Sequence, residues 1–524
     1  DVISIPDADM PQSGAPQNVQ SFTISAMGIW CHAICVNDSI GYHKVDEGRN
    51  RTMFKPDSSL MQGIDEWIEK NKEAFVKDLD RLVAIPSISE KGDDTYPFGK
   101  NCAQVLDEMT SLAAGYGFHV ENHEYYCGSL LVKGTARNPR RIGIYAHLDV
   151  VPLGEGWHNP PLKCTMKDGF LIGRGVGDNK GPGICALYAL RYLKEHGMEL
   201  KNDVLVYYGL SEETGMQDIE YFCRTQQVPD FNLVADTNFP VCYGEKGLMR
   251  ADIERGFEGN LVSFHAGSVV NVIPAKAEAV ISSVDLKDAR QQLDGVQGIS
   301  VDQDGEYVKV TALGISRHAA FPEGSVNAVH VLAKALTGSG LLTGSGAEAV
   351  KAVAEMTSDY NGGCCSIPFE DKESGRLTCV GSVVHAGSGV MKVSFDTRYP
   401  VTVDGAQVVE GFKKRAESLG FAVSVGELSA PAYVPLDNPY IPVLSEICDH
   451  VQGRHYEPYT MGGGTYARHL PCAIGFGPGV PDAPNPFENG HGQGHQPDEC
   501  VPFDMLLKGL KTYIISLLEL DRML

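Results

Sequence analysis

Six side chains able to bind a cation or move a proton fall beside short apolar runs of this chain. His147 and Asp149 follow the run 142–146, Glu212 and Glu213 follow 204–208, and Asp236 follows 233–235. Asp178 precedes a helical pattern at 181–194. If the runs are strands of one open α/β sheet, their carboxyl ends aim these groups at a single crevice. Unpaired, so many carboxylates would repel and raise one another's pKa. A divalent cation resolves that conflict, and mixed His, Asp and Glu donors suit zinc. Taken singly, each residue has an ordinary reading: a surface histidine, a solvated loop at Glu212-Glu213, a turn at Asp178, a helix cap at Asp149. Their joint placement is what points to metal chemistry.

The elements that must position them follow from hydrophobic periodicity. From 62 to 83, Ile64, Trp67, Ile68, Phe75, Leu79, Leu82 and Val83 largely keep helical spacing, and Pro86 stops the helix. Strand-like runs at 142–146, 204–208, 233–235 and 472–476 then alternate with helical patterns at 181–194 and 503–520, which predicts an α/β architecture. Pro182 lies in a first helical turn, where its missing N–H is harmless. Between about 247 and 434 the texture changes. Runs at 278–284 and 390–395 alternate with period two, as in an antiparallel sheet with one wet face, and an Ala- and Val-rich helix is predicted at 327–336. The Gly-Ser stretch 337–346 reads as a loop. The expected organisation is an unassigned leader at 1–60, a catalytic domain at 61–246 and 435–524, and an inserted α+β domain at 247–434.

The chain has 524 residues, with 44 Lys and Arg against 67 Asp and Glu, a formal charge of −23. That length buries a large core without disulfides. The acidic balance argues against nucleic-acid and anionic-membrane partners. No run of 18 apolar residues is present, and the stretch 22–36 contains His32 and follows an acidic start, unlike a secretory signal. The 14 cysteines are scattered, with one adjacent pair, Cys364-Cys365, which reads as reduced usage in a cytoplasmic protein. The first residue is not Met and 1–60 shows no sustained period, so this leader is read as a mis-assigned start or an upstream appendage.

Two glycine clusters need separate readings. The stretch 173–177 lacks GxGxxG spacing and abuts Asp178, which is hostile to phosphate. Gly462-Gly463-Gly464-Thr465 lacks a P-loop lysine. It fits either a backbone closely approached by substrate or a flexible turn.

Ala146-His147-Leu148-Asp149-Val150-Val151-Pro152, Gly173-Arg174-Gly175 through Asp178-Asn179-Lys180-Gly181, and Ser211-Glu212-Glu213-Thr214-Gly215 resemble the motifs of a metallopeptidase family. It comprises dinuclear-zinc dipeptidases and deacylases, among them aminoacylases, acetylornithine deacetylase and succinyl-diaminopimelate desuccinylase. Asp236 before Pro240, Gly244-Glu245-Lys246-Gly247 and Gly462-Gly463-Gly464-Thr465-Tyr466 most resemble its PepV-type bacterial dipeptidases. The resemblance covers about 61–524. It implies an α/β zinc-peptidase domain with a mixed sheet flanked by helices, plus an inserted α+β lid.

The resemblance also implies roles. His147 and Asp236 would hold one zinc, Glu213 and His495 the other, and Asp178 would bridge them. Asp149 would bond the far nitrogen of His147, and Glu212 would be the general base. His491 in Gly490-His491-Gly492-Gln493-Gly494-His495 is the alternative last ligand. Gly314-Ile315-Ser316-Arg317-His318-Ala319-Ala320 matches the lid segment whose histidine closes over the substrate carbonyl, although Arg317 departs from the small or neutral residue expected there. Asn271 and Arg398, with Gly463, would bind the substrate carboxylate; arginine suits this because its planar fork is bidentate.

The implied reaction is hydrolysis of dipeptides or very short peptides by a hydroxide shared between two zinc ions, with cobalt or manganese as possible substitutes. The same metal site would serve an N-acyl-amino-acid deacylase. A catalytically silent metal- or peptide-binding protein is a third reading, though such a relic would be expected to have lost Glu212 or a ligand. A lid long enough to cover its own site favours a monomer.

Overall fold

The computed structural model describes residues 54–488 and 490–524. The leader's residues 1–53 lie outside the described residues. Among the described residues the first regular element is the helix Ser58–Val83, which starts ahead of position 61. Asp57 caps it, accepting hydrogen bonds from the N–H of Ser59 at 2.9 Å and Leu60 at 3.2 Å. This turn was invisible to periodicity because Ser58 and Ser59 are exposed and bury nothing.

Nine strands form a mixed sheet. Its order is Val120–His123, Cys127–Val132, Asp203–Gly209, Arg141–His147, Phe231–Val234, Ala473–Gly475, Cys242–Glu245 and Ala432–Tyr433, with Tyr459–Met461 also paired to Cys242–Glu245. The central strands Asp203–Gly209, Arg141–His147 and Phe231–Val234 run parallel. Their side chains alternate between two apolar cores. Ile144, Val206 and Leu233 pack with Leu79, Leu187 and Ile514 of the helices Ser58–Val83, Lys180–Glu195 and Phe503–Met523. Tyr145, Leu205, Tyr207 and Val234 pack with Phe222 and Tyr466 on the other face. Burial on both faces explains why these strands read as continuous apolar runs.

The second sheet has eight strands, every neighbouring pair antiparallel. Its order is Ile299–Asp304, Tyr307–Leu313, Lys276–Ile281, Leu261–Ala266, Thr378–Gly387, Val390–Tyr399, Gly247–Gly256 and Ala422–Ser429. Helices Ala328–Ser339, Gly344–Met356 and Gly405–Ser418 share a core with it through Leu332, Val353 and Phe412 against Val310 and Phe395. The fold is thus an α/β unit with a mixed sheet plus an α+β unit. The chain leaves the first sheet after Glu245 and has rejoined it at Ala432–Tyr433.

Two local readings need correction. The Gly-Ser stretch 337–346 is mostly helical: Thr337 to Ser339 complete one helix and Gly344 opens the next. Burial of Ala349, Val350 and Val353 draws the glycines into that second helix against their propensity. The strand predicted at 278–284 is Lys276–Ile281, set by its register with Tyr307–Leu313. Among the described residues, no helix is long and apolar enough to cross a membrane.

The cap gives a local test. Asp57→Ala removes a bond typically worth about 1 kcal/mol, so amide exchange in the first turn of Ser58–Val83 should quicken about fivefold. Unchanged exchange there would show that Asp57 does not hold the helix start.

Candidate functional site

The carboxyl ends of the three parallel strands deliver the predicted residues to one place. His147 ends its own strand and is fully buried. Its Nδ1 lies 3.0 Å from the backbone oxygen of Asp149 and 3.3 Å from that residue's Oδ1. With the Nδ1–H donated there, Nε2 is left to face a cation. This Nε2 sits 3.1 Å from Asp178 Oδ1 and 3.8 Å from Asp236 Oδ2. The other oxygen of Asp178 lies 3.1 Å from His495 Nε2, which is 3.0 Å from Glu213 Oε1.

Asp178 therefore joins two triads, His147–Asp178–Asp236 and Asp178–Glu213–His495, each with its ligand atoms within 4.8 Å of one another. One imidazole and two carboxylates per triad fit zinc, and one carboxylate oxygen in each fits a bridging ligand. Glu212 stands beside them, grouped with His147 and Glu213 over the same span. His491 is not in either triad: its Nδ1 lies 3.0 Å from Asp498.

Electrostatics match crowded carboxylates. Burial, then the charges of Asp178 and Glu213, push Asp236 up to about 8 despite His147. Burial and the charge of Asp236 hold Glu212 well above the usual carboxylate range. Burial would raise Asp178 as well, but hydrogen bonds with His147 and His495 outweigh it and hold the carboxyl low. The same bonds act on the imidazoles. Hydrogen bonds to Asp178 and Glu213 push His495 up to about 11. Burial would lower His147, yet Asp149 and Asp178 hold it well above its ordinary value.

Several residues, most of them without a role from the sequence, hold this cluster in place. Glu499 Oε1 accepts from the N–H of Gly175 at 3.0 Å and of Gly177 and Asp178 at 3.1 Å, while its Oε2 pairs with buried Arg174 at 2.7 Å. Asn179 donates through Nδ2 to Asp236 Oδ1 at 2.9 Å. Asp149 accepts from the N–H of Glu212 and Glu213 at 3.2 and 3.1 Å. Asp218 accepts from the N–H of Leu210 and Ser211 and from the hydroxyl of Tyr466. Glu245 accepts from the N–H and hydroxyl of Thr465. The signal was present for Asn179 and Glu245, since each lies inside a quoted motif.

Residues of the second unit that the resemblance singles out also lie near one another. The segment at Asn271 pairs with that at His318, where Asn271 O accepts from the N–H of Ala319 at 2.8 Å. His318 Nδ1 accepts from the N–H of Ala320 at 3.1 Å, which places its proton on Nε2. Burial, and then the nearby charge of Arg398, lower its pKa, so the ring is a neutral donor. Arg398 is buried, forks onto Asp396 at 2.6 and 3.0 Å and donates to the Gly462 carbonyl at 3.1 Å. Three of its five N–H groups are thereby used. A cleft of about 620 Å³ is lined by Asp178, Asp236, Tyr459 and Met461 from the first unit and by Phe321, beside His318, from the second.

A family model described as Peptidase family M20/M25/M40 matches residues 143–519. The Beta-Ala-Xaa dipeptidase of Lactobacillus delbrueckii subsp. lactis is 28% identical over 480 residues, 87% of this chain and 98% of that protein. The crystal structure of human carnosine dipeptidase 1 has a TM-score of 0.55 at 15% identity, covering 89% of this chain and 100% of that one. The di-peptidase Dug1p from Saccharomyces cerevisiae has a TM-score of 0.54 at 15% identity, covering 89% of this chain and 99% of that one. Both structural likenesses concern the fold.

The protons held in this cluster must leave before its nitrogens and oxygens can bind a cation. With His495 near 11 and Asp236 near 8, cation affinity should rise with pH through the neutral and mildly alkaline range. The limit is about tenfold per pH unit for each proton released. Chelator competition with zinc over a pH series measures this slope; a flat profile would mean the cluster carries no exchangeable protons.

Proposed function

The chain belongs to peptidase family M20/M25/M40, and on that premise we propose that it is a metal-dependent dipeptidase. The observation that carries this reading is Asp178, one carboxylate shared between two triads with Glu212 alongside. His147 and Asp236 would hold one divalent cation and Glu213 and His495 the other, with Asp178 able to serve both. The donor set suits zinc, with cobalt or manganese able to replace it. When bound, two such cations acidify the attacking water and polarise the scissile carbonyl.

The remaining work falls to this chain's own side chains. Glu212 takes the proton of the attacking water and delivers it to the departing amine. Asp149 keeps His147 oriented through Nδ1 and fixes the backbone of Glu212 and Glu213. His318 offers its Nε2–H to the developing oxyanion, a contribution of about 3–4 kcal/mol for one well-placed donor. The substrate carboxylate lies against Asn271, the backbone at Gly463 and the N–H groups of Arg398 not directed at Asp396 or Gly462. A ligand held at both its carbonyl and its terminal carboxylate is short, which favours dipeptides.

Residues 61–246 and 435–524 act as the catalytic domain and 247–434 as a lid that excludes water on closing. Phe321 of the lid lines the cleft of its own chain, which supports a monomer. The scattered cysteines suit the reducing cytoplasm.

Metal-reconstituted enzyme assayed side by side on Ala-Ala, β-alanyl-histidine and N-acetyl-amino acids should cleave the dipeptides. Turnover of the N-acetyl compounds alone would make it a deacylase, and zinc binding without hydrolysis of any would leave a binding protein. Glu212→Ala should keep its zinc content while kcat falls about 10²–10⁴-fold. Near-normal turnover in the metal-loaded variant would remove Glu212 from the base role.

A further inference from the structure

A second collection of ligand-type side chains lies apart from the two triads and shares no residue with them. His158, His491 and Asp498 bring two imidazoles and one carboxylate within 4.8 Å of one another. The carboxylate is fully buried and rigidly held. Its oxygens accept from the N–H of His158 at 3.0 and 3.1 Å, and Oδ1 accepts from the N–H and Nδ2 of Asn159, each at 2.9 Å. Both histidines then turn Nδ1 to the same oxygen, Oδ2, at 2.8 Å for His158 and 3.0 Å for His491. Their rings stack with centroids 4.8 Å apart and planes 19° from parallel.

We propose that His158, His491 and Asp498 form a third divalent-cation site of zinc type, separate from the catalytic pair. A side chain as exposed as that of His158 (70%) normally samples several rotamers in water, yet this one is docked beside a second imidazole on one buried oxygen. Two imidazole nitrogens and a carboxylate oxygen are a zinc donor set that leaves a fourth position for water. Neighbouring ligands of a tetrahedral zinc with bonds of about 2.0–2.1 Å lie about 3.3 Å apart. The observed separations of 2.8 and 3.0 Å therefore need only small ring shifts once both Nδ1 protons are replaced by one cation. With a single carboxylate and an open face, the site binds more weakly than the pair around Asp178.

Its occupant would brace catalysis without joining it. His491 and Asp498 flank His495 in one loop, and Glu499, next in sequence, holds the backbone at Asp178. A cation here would tie that loop to the segment 157–159 and restrict the swing of His495.

The test is zinc titration of the metal-free full-length enzyme against a chromogenic chelator. Wild type should bind one zinc equivalent more than His158→Ala, whose site is exposed enough for the variant to fold, and more than His491→Ala. Both variants should still hydrolyse dipeptide when loaded with the tighter metal. Asp178→Asn should lose the tight binding yet keep the weak equivalent, which separates this site from any failure of the catalytic assignment. Equal stoichiometry in wild type and His158→Ala would overturn the proposal, as would loss of the weak equivalent in Asp178→Asn with its retention in His158→Ala.

Discussion

The structure is organised around the mutual repulsion of buried negative charge. Asp149, Asp178, Glu212, Glu213 and Asp236 crowd the end of one sheet, and among the described residues His147 and His495 make the ion pairs that offset them. Removing so many carboxylates from water is costly unless each is paired or hydrogen-bonded. Asp178 meets the demand most fully, since each oxygen faces an imidazole and its own N–H is anchored. Glu212 meets it least: burial and the charge of Asp236 hold its carboxyl well above the usual carboxylate range. That inequality separates a group suited to ligation from one suited to carrying a proton.

Such a cluster keeps its shape only if the backbone beneath it is fixed. The surrounding anchors are themselves mostly buried carboxylates, but they accept N–H groups and so behave as clamps. Glu499 gathers the turn before the helix Lys180–Glu195, Asp149 and Asp218 gather the turn after Asp203–Gly209, and Glu245 holds the end of the glycine loop at Thr465. Breaking a buried pair such as Arg174–Glu499 from one side would leave an uncompensated charge, typically about 3–5 kcal/mol. The cluster thus depends on residues that lie outside both triads.

Much of the site was legible because its residues lie at strand ends, and strand ends can be read from apolar runs. His147, Glu212, Glu213 and Asp236 each follow a run that is buried on both faces. What could not be read was pairing across distance. His495 meets Glu213 over a separation of 282 residues, and Asp178 meets Glu499 over 321. No periodicity encodes those contacts; family motifs supplied the first and left the second without a role. The resemblance favours His495 over His491, and the folding of their shared glycine-rich loop sends His495 to Asp178 and His491 to Asp498. The start of Ser58–Val83 and the helix opening at Gly344 escaped for a local reason, since a polar cap and a glycine pair carry no apolar stripe.

The three consecutive glycines show how packing separates structural need from chemical use. A Cβ on Gly462 would come within 2.9 Å of the Ala320 side chain, so that position is closed by the segment beside His318. A Cβ on Gly464 would come within 2.1 Å of the Arg468 guanidinium, whose Nη2 donates to the Lys246 and Gly463 carbonyls. Those two glycines are required by neighbours in the protein itself. Gly463 differs: a Cβ there would meet nothing closer than the Met461 side chain at 3.8 Å, an ordinary contact, and its φ is not in the left-handed region. Neither backbone strain nor packing demands a glycine at that position. A flexible turn does not describe a loop pinned on both sides by Gly462 and Gly464. In the proposed substrate-carboxylate site, close approach by a substrate would give Gly463 a reason.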